Sequence, residues 1–140
     1  MPVEYRDLYT RDMARAEPDT LFVFGDNMLR KGYKGQAAAL RGEPNAVGIP
    51  TKNWPSSKDG AYLCNADFDR WKKASMNDWR RLFRHAKQGG TIVWPSGGIG
   101  TGYARLSACA PDIAASIGRN LEALENLSQD VTKSPPITGL

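Results

Sequence analysis

The stretch T-I-V-W-P-S-G-G-I-G-T-G-Y-A-R, residues 91–105, decides the fold that we predict for this chain. Its β-branched and aromatic start, Thr91 to Trp94, is typical of a strand, and it leads into four glycines within six positions. Beyond Tyr103 the pattern becomes helical, so backbone N–H groups and a helix N-terminus can converge on an anion. The stretch therefore predicts a strand, a glycine loop and a helix arranged to bind phosphate.

An earlier part of the chain repeats this order. Leu21 to Phe24 is an apolar run typical of a buried strand, and Ala37 to Arg41 is a strong helix former that follows a glycine-rich basic loop. Because strands and helices alternate, we predict an α/β fold, a single three-layer α/β/α domain with a mixed, largely parallel sheet. Ligands of such sheets bind at the carboxyl ends of the strands, where both glycine loops begin.

The remaining elements can be predicted in outline. They begin with a short N-terminal helix or turn, a strand at Asn45–Ile49 and a long loop at Asn53–Asn65. A helix follows at Asp67–Lys87, which breaks near Ser75 and resumes with Asn77 as its cap. The closing helix covers Tyr103–Leu127, and its main part begins at Pro111. This assigns residues 1–127 to one domain. Residues 128–140 lack periodicity, and we expect a disordered tail.

Composition narrows the class of protein. A hydrophobic content of 41% and a charged content of 24% are close to globular averages. No apolar run approaches the roughly 20 residues of a membrane helix, and the N-terminus lacks the apolar core of a signal peptide. We therefore expect a cytoplasmic protein with no membrane partner.

Charge and ligand chemistry narrow the partners. Two cysteines and one histidine do not readily supply a zinc site, so we predict neither a metal nor a cofactor. The net charge of +4 suits an anionic ligand as well as ordinary solubility. Nucleic acid is an unlikely partner because the basic residues of 70–73 and 80–84 share a helix face only approximately. The sequence does not indicate an oligomeric state.

The glycine loop after the last strand is one half of the predicted site. Glycines let the main chain approach a ligand without a Cβ atom, and successive N–H groups can form an anion nest. The spacing matches neither the dinucleotide motif nor the P-loop, and tight packing explains such a loop about equally well. The ligand contacts predicted in this half are Ser96, Gly97, Gly98, Ile99, Gly100, Thr101, Gly102 and Tyr103.

The other half follows the first buried strand. Asn27 offers a donor and an acceptor to a ribose diol, and Asp26 can orient a water as a general base, so we predict both as catalytic residues. An Asx turn explains them as well. The ligand contacts predicted in this half are Gly25, Gly32, Lys34, Gly35, Gln36, Pro50, Thr51 and Lys52. Further candidates are Lys31 and Arg105 for a phosphate, and Trp54, Tyr62 and Tyr103 for stacking on a purine.

Four segments carry a family resemblance: F-V-F-G-D-N at 22–27, K-G-Y-K-G-Q-A-A at 31–38, G-I-P-T-K at 48–52 and V-W-P-S-G-G-I-G-T-G-Y at 93–103. Together they resemble the macrodomain superfamily, and most closely a divergent macro-like group of bacterial and bacteriophage proteins. The resemblance implies that the chain binds ADP-ribose or a related nucleotide sugar, with Asn27 at the distal ribose and Pro95–Tyr103 at the diphosphate. It also implies hydrolysis of an ADP-ribosyl linkage, if the protein is an enzyme, with Asp26 as the base.

Two other functions stay open at this point. The first is a pure binder, for example a phage protein that sequesters a nucleotide signal or reads ADP-ribosylated targets. The second is a nucleotide N-glycosidase, since the lysine-decarboxylase-like Rossmannoid group also places a G-G-x-G-T loop after a strand. That group pairs the loop with a downstream Glu, where this chain has Ala104 and Arg105.

Overall fold

Four parallel strands form the centre of the molecule. The computed structural model describes residues 3–101 and 105–133. In these ranges the strands are β1 (Val3–Arg6), β2 (Leu21–Asn27), β3 (Ala46–Lys52) and β4 (Ile92–Pro95), in the spatial order β1-β4-β2-β3. Every pair of neighbouring strands runs parallel, so the α/β class is confirmed. The expectation of a mixed sheet is wrong, because the antiparallel pairing of the described residues is limited to one bridge between Lys52 and Tyr62.

Three helices of the described residues connect the strands, and two more follow β4. They are α1 (Arg11–Ala16), α2 (Gln36–Leu40), α3 (Phe68–Lys87), α4 (Leu106–Cys109) and α5 (Pro111–Lys133), with two single 3₁₀ turns at Asp59–Ala61 and Asn65–Asp67. None of the helices in the described ranges combines the length and apolarity that crossing a membrane requires.

Alternating side chains of β2 divide the core into two clusters. Leu21 and Val23 belong to the larger cluster, which α3 and α5 cover. Phe22 and Phe24 belong to the smaller cluster, which lies under α1 and α2. The arrangement is compatible with the predicted three-layer α/β/α domain.

The N-terminus differs from its prediction. The expected helix is present as α1, where the Thr10 hydroxyl accepts a hydrogen bond from the Met13 N–H. Before it, however, β1 adds an edge strand in which Val3 is the one fully buried side chain and pairs with Ile92. Four residues with a single buried position give too short a pattern to indicate a strand.

The two long helices also differ in detail. Helix α3 runs without a break, so Asn77 is not a cap; its buried positions Trp71, Ser75 and Trp79 continue one stripe through the segment where we predicted the break. Packing of this stripe overrides the weak local preference of Ser and Asn for helix ends. Helix α5 begins at Pro111, as predicted, and continues to Lys133, into the segment predicted as a tail. Residues 134–140 lie outside the described residues.

Candidate functional site

The glycine loop leaves the carboxyl end of β4 and keeps several backbone donors free. Gly98 and Gly100 have positive φ angles of 81° and 71°. The Gly98 N–H donates to the Pro95 carbonyl at 2.9 Å, which closes a turn. Within the described part of the chain, four further N–H groups of the loop have no acceptor, those of Gly97, Ile99, Gly100 and Thr101. The loop therefore offers a set of N–H groups suited to an anion.

Gly100 holds this loop against the sheet. A Cβ atom there would lie 2.9 Å from Leu106 Cδ2 and 3.1 Å from Thr51 Cγ2, and the left-handed backbone disfavours any other residue. The neighbouring Ile99 side chain is buried in the core and anchors the loop. The glycine at this position is required by packing as well as by conformation.

The end of β2 lies directly beneath the loop. An ideal Cβ on Gly25 would be 3.7 Å from the Gly100 nitrogen and 3.6 Å from Thr51 Oγ1. The Gly25 N–H donates to Gln36 Oε1 at 2.9 Å, and the Thr51 hydroxyl donates to the Asp26 carbonyl at 3.1 Å. The structure thus brings Gly25, Gln36 and Thr51, three of the predicted ligand contacts, close to the glycine loop.

Three cations lie beside this edge, and two of them contact the ring of Tyr62. The Lys52 ammonium lies 5.1 Å from the ring centroid, and the Arg105 guanidinium lies 5.7 Å from it. Burial lowers the pKa of Lys52, and the positive charges of Arg105 and Lys34 lower it further. We call Lys34, Lys52 and Arg105 the cationic cluster.

The cationic cluster has no acidic partner within the described ranges. The ion pairs found there involve other basic residues, and the Lys52 ammonium donates instead to the Ser56 carbonyl at 2.7 Å. Three cations in mutual repulsion create a site in which a bound anion is favoured. The positive charge of the cationic cluster and the N–H groups of the glycine loop both favour an anionic ligand.

Asp26 occupies a different environment from the one that we predicted. Its side chain is 3% exposed and forms ion pairs with Arg41 and, at 3.7 Å, with Arg30. It packs over β3 so closely that a Cβ on Gly48 would be 2.5 Å from Asp26 Oδ2. The Arg41 guanidinium also lies over the Phe24 ring, which places this ion pair on the α2 side of the sheet. A carboxylate held by two arginines is poorly placed to activate a water.

Asn27 forms a turn. Its Nδ2 donates to the Lys31 carbonyl at 2.7 Å, and its Oδ1 accepts from the Leu29 N–H at 3.1 Å. The alternative that we considered from sequence, an Asx turn, describes these bonds. The buried amide stabilises the loop between β2 and α2.

Some of the remaining predicted ligand contacts shape the backbone or bond to other residues, and two of them lie outside the described residues. Gly32 and Gly35 have positive φ angles and shape the loop before α2, and the Pro50 carbonyl accepts the Trp71 indole N–H at 2.8 Å. Ser96 is exposed, and its N–H donates to the Arg6 carbonyl at 3.0 Å. Gly102 and Tyr103 lie outside the described residues.

A family model matches residues 4–120 of this chain, and its description reads "Family of unknown function (DUF7831)". The chain belongs to this DUF7831 family. The matched residues include the four strands except Val3, the first residue of β1, together with both glycine loops and the cationic cluster. Comparisons with curated proteins and with solved structures gave no match.

Sequence reasoning missed two features of the DUF7831 site. Tyr62, considered only for stacking on a purine, instead faces two cations, and Arg41, assigned only to the end of a helix, neutralises Asp26. A lone aromatic residue in a long loop carries no sequence signal for the charges that it contacts. The arginine offered a weak signal, since a buried aspartate needs a basic partner.

Proposed function

We propose that this DUF7831 protein binds the diphosphate of ADP-ribose or a related nucleotide sugar between the glycine loop and the cationic cluster. The observation that carries the proposal is the meeting, at one edge of the sheet, of free loop N–H groups with three cations that lack an acidic partner in the described residues. Backbone N–H groups and fixed cations are the donors that proteins use for diphosphates.

The proposal includes a macrodomain-like fold and a cytoplasmic location. Support for the fold comes from the order of the motifs along the chain and from their meeting at one edge of the sheet. The segments at 22–27, 31–38 and 48–52 lie at the same sheet edge as the glycine loop, through the contacts of Gly25, Gln36 and Thr51. This is the arrangement that the resemblance to macrodomains implies.

Binding without turnover is better supported than hydrolysis. The carboxylate that we predicted as a general base is buried and paired with Arg41 and Arg30, whereas a base must reach the water that it activates. The N-glycosidase alternative gains no support either, because Arg105 stands in the region where that group has its Glu and belongs here to the cationic cluster. We therefore propose a protein that sequesters or reads a nucleotide signal.

Calorimetric titration tests this proposal. We expect ADP-ribose to bind, with pyrophosphate weaker and ribose alone undetected. Lys52→Met and Arg105→Met should each weaken ADP-ribose about tenfold or more, because a hydrogen bond to a charged group contributes about 1.5–3 kcal/mol. Lys87→Met, the same change at an exposed residue at the end of α3, is the matched control. If the folded protein gave no heat of binding with millimolar ADP-ribose, the proposal would be wrong.

A further inference from the structure

A second concave site lies between α3 and α5, away from the glycine loop. The cavity has a volume of about 560 Å³, and none of its lining residues belongs to the site described above. This volume is within the range of about 300–1,000 Å³ that is typical of pockets for small molecules. We call it the helix groove.

The walls of the helix groove are apolar and its rim is cationic. Phe68, Met76 and Phe83 form much of the wall, and Met76 is 39% exposed. Lys72, Arg80 and Arg119 line the same groove. No acidic side chain lines it within the described ranges, and the ion pairs found there include none of these three cations. An adjoining hollow, which shares Phe68 and Arg119 with the groove, is also lined by Asp112.

Two buried polar groups of the same groove are unsatisfied. Ser75 is fully buried and Trp79 is 8% exposed, and neither Ser75 Oγ nor Trp79 Nε1 has a hydrogen-bond partner in the described residues. Such groups are rare in native proteins, because leaving one unpaired costs about 1–3 kcal/mol. Both atoms are buried beneath the wall of the groove, so a ligand in the groove does not reach them.

The spacing on α3 brings these features together. Ser75 and Trp79 are four residues apart and share one row of the helix surface, while Lys72, Met76 and Arg80 form the adjacent row. The first row is buried in the core, so a ligand lying along α3 meets the second row, on which Met76 lies between two cations.

We propose that the helix groove binds a small organic anion that has an apolar body and one carboxylate. The apolar body packs against Met76 and Phe83. The carboxylate pairs with the cations of the rim. The volume suits one small molecule, and the charge of the rim selects the anion over a neutral compound of the same shape. This site is independent of the proposed nucleotide function.

Titration calorimetry with naphthalene-2-carboxylate tests the inference. We expect saturable binding, with the neutral naphthalene-2-carboxamide about tenfold weaker, because the charge-assisted hydrogen bonds to the rim are lost. Acetate, which has the charge without the apolar body, should give no saturable heat.

Variants locate the binding. Arg80→Gln combined with Arg119→Gln should weaken the carboxylate about tenfold and leave the carboxamide unchanged. Arg84→Gln, at an exposed residue of α3 outside the groove, is the control.

Two results would overturn the inference: no saturable heat with the folded wild-type protein, or equal affinity for the carboxylate in the doubly substituted variant. An unchanged affinity for ADP-ribose in that variant separates this test from the test of the glycine loop.

Discussion

Asp26 holds two arginines at the carboxyl end of β2. Its carboxylate is buried and bonded to Arg41, whose side chain is itself only 13% exposed. Arg30 adds a longer contact and bonds to the Gly48 carbonyl and to Asp78. Removal of the carboxylate would leave Arg41 buried without its counter-charge. We infer that Asp26 fixes the loop between β2 and α2, which carries Lys34 and leads into Gln36 at the start of α2.

This role predicts a loss of stability when Asp26 is replaced. Asp26→Ala should lower the free energy of unfolding by about 3 kcal/mol, since breaking a buried ion pair costs about 3–5 kcal/mol and Arg30 partly reaches solvent. Urea denaturation measures it, and Asp7→Ala, at an exposed acid, is the control with a change of about 0.5 kcal/mol or less. A stable Asp26→Ala protein that had lost a hydrolytic activity would instead restore Asp26 as a catalytic base.

Lys52 makes anion binding sensitive to alkaline pH. Its pKa in the free protein is lowered from the ordinary 10.5 by burial, by Arg105 and by Lys34, so its charged form is disfavoured. A bound diphosphate favours the charged form and raises that pKa, so the protein takes up a proton on binding between the lowered value and the value in the complex. Affinity should therefore fall as the pH rises through this window.

Calorimetry in two alkaline buffers with different heats of ionisation measures this proton uptake. Lys52→Met should abolish the uptake and weaken binding, whereas Lys87→Met should leave both unchanged. If the wild-type protein bound the diphosphate with no proton uptake across this range, Lys52 would not contact it.

At the scale of elements, the glycine loop depends on one position more than on the others. Gly100 combines a φ of 71° with close contacts to Leu106 and Thr51, whereas a Cβ on Gly25 meets its neighbours at ordinary distances of 3.5 to 3.7 Å. Gly100→Ala should therefore destabilise the protein by about 2 kcal/mol, as expected for backbone strain joined to a clash. Gly25→Ala should fold normally.

Thermal unfolding of the two variants tests this difference. A lower Tm for Gly100→Ala together with weaker ADP-ribose binding would show that the loop is shaped by this residue. Equal Tm values for the two variants would contradict the packing argument.

Elements with a strong local signal could be predicted from the sequence. The apolar run of β2, the β-branched run of β4 and the Pro111 start of α5 agree with the structure. The signal was weak for β1, whose single fully buried side chain is Val3, and it was misleading in the middle of α3, where tertiary packing maintains the helix. Local pattern is a guide only where it is long or strongly apolar.

At the scale of the whole molecule, the site could be predicted only in part. The glycine loops can be predicted from the sequence, since few structural roles need so many glycines within a few residues. The cationic cluster has no such signal, because Lys34, Lys52 and Arg105 come from three separate segments that only the fold brings together. The helix groove is likewise a property of two packed helices and has no motif of its own.

The pH dependence of the whole fold follows from its carboxylates. Hydrogen bonds lower the pKa of Glu17 through Arg6, of Glu43 through Arg11 and of Asp67 through the Cys64 N–H. Groups with a lowered pKa stabilise the fold above their ordinary values of 4.5 and 3.8, and this contribution is lost as the pH falls through the native pKa.

Asp78 acts in the opposite direction in acid. Burial raises its pKa above the ordinary 3.8, so its protonation relieves a cost and favours the folded state as the pH falls.

Three carboxylates with a lowered pKa outnumber this one, and we expect the free energy of unfolding to decrease between about pH 5 and about pH 3. Urea denaturation across this range measures the decrease. Glu17→Gln should make it smaller, since the Arg6 ion pair is already lost at neutral pH, and Asp78→Asn should make it steeper. Stability that rose with acid in the wild-type protein would mean that Asp78 outweighs the three ion-paired groups together.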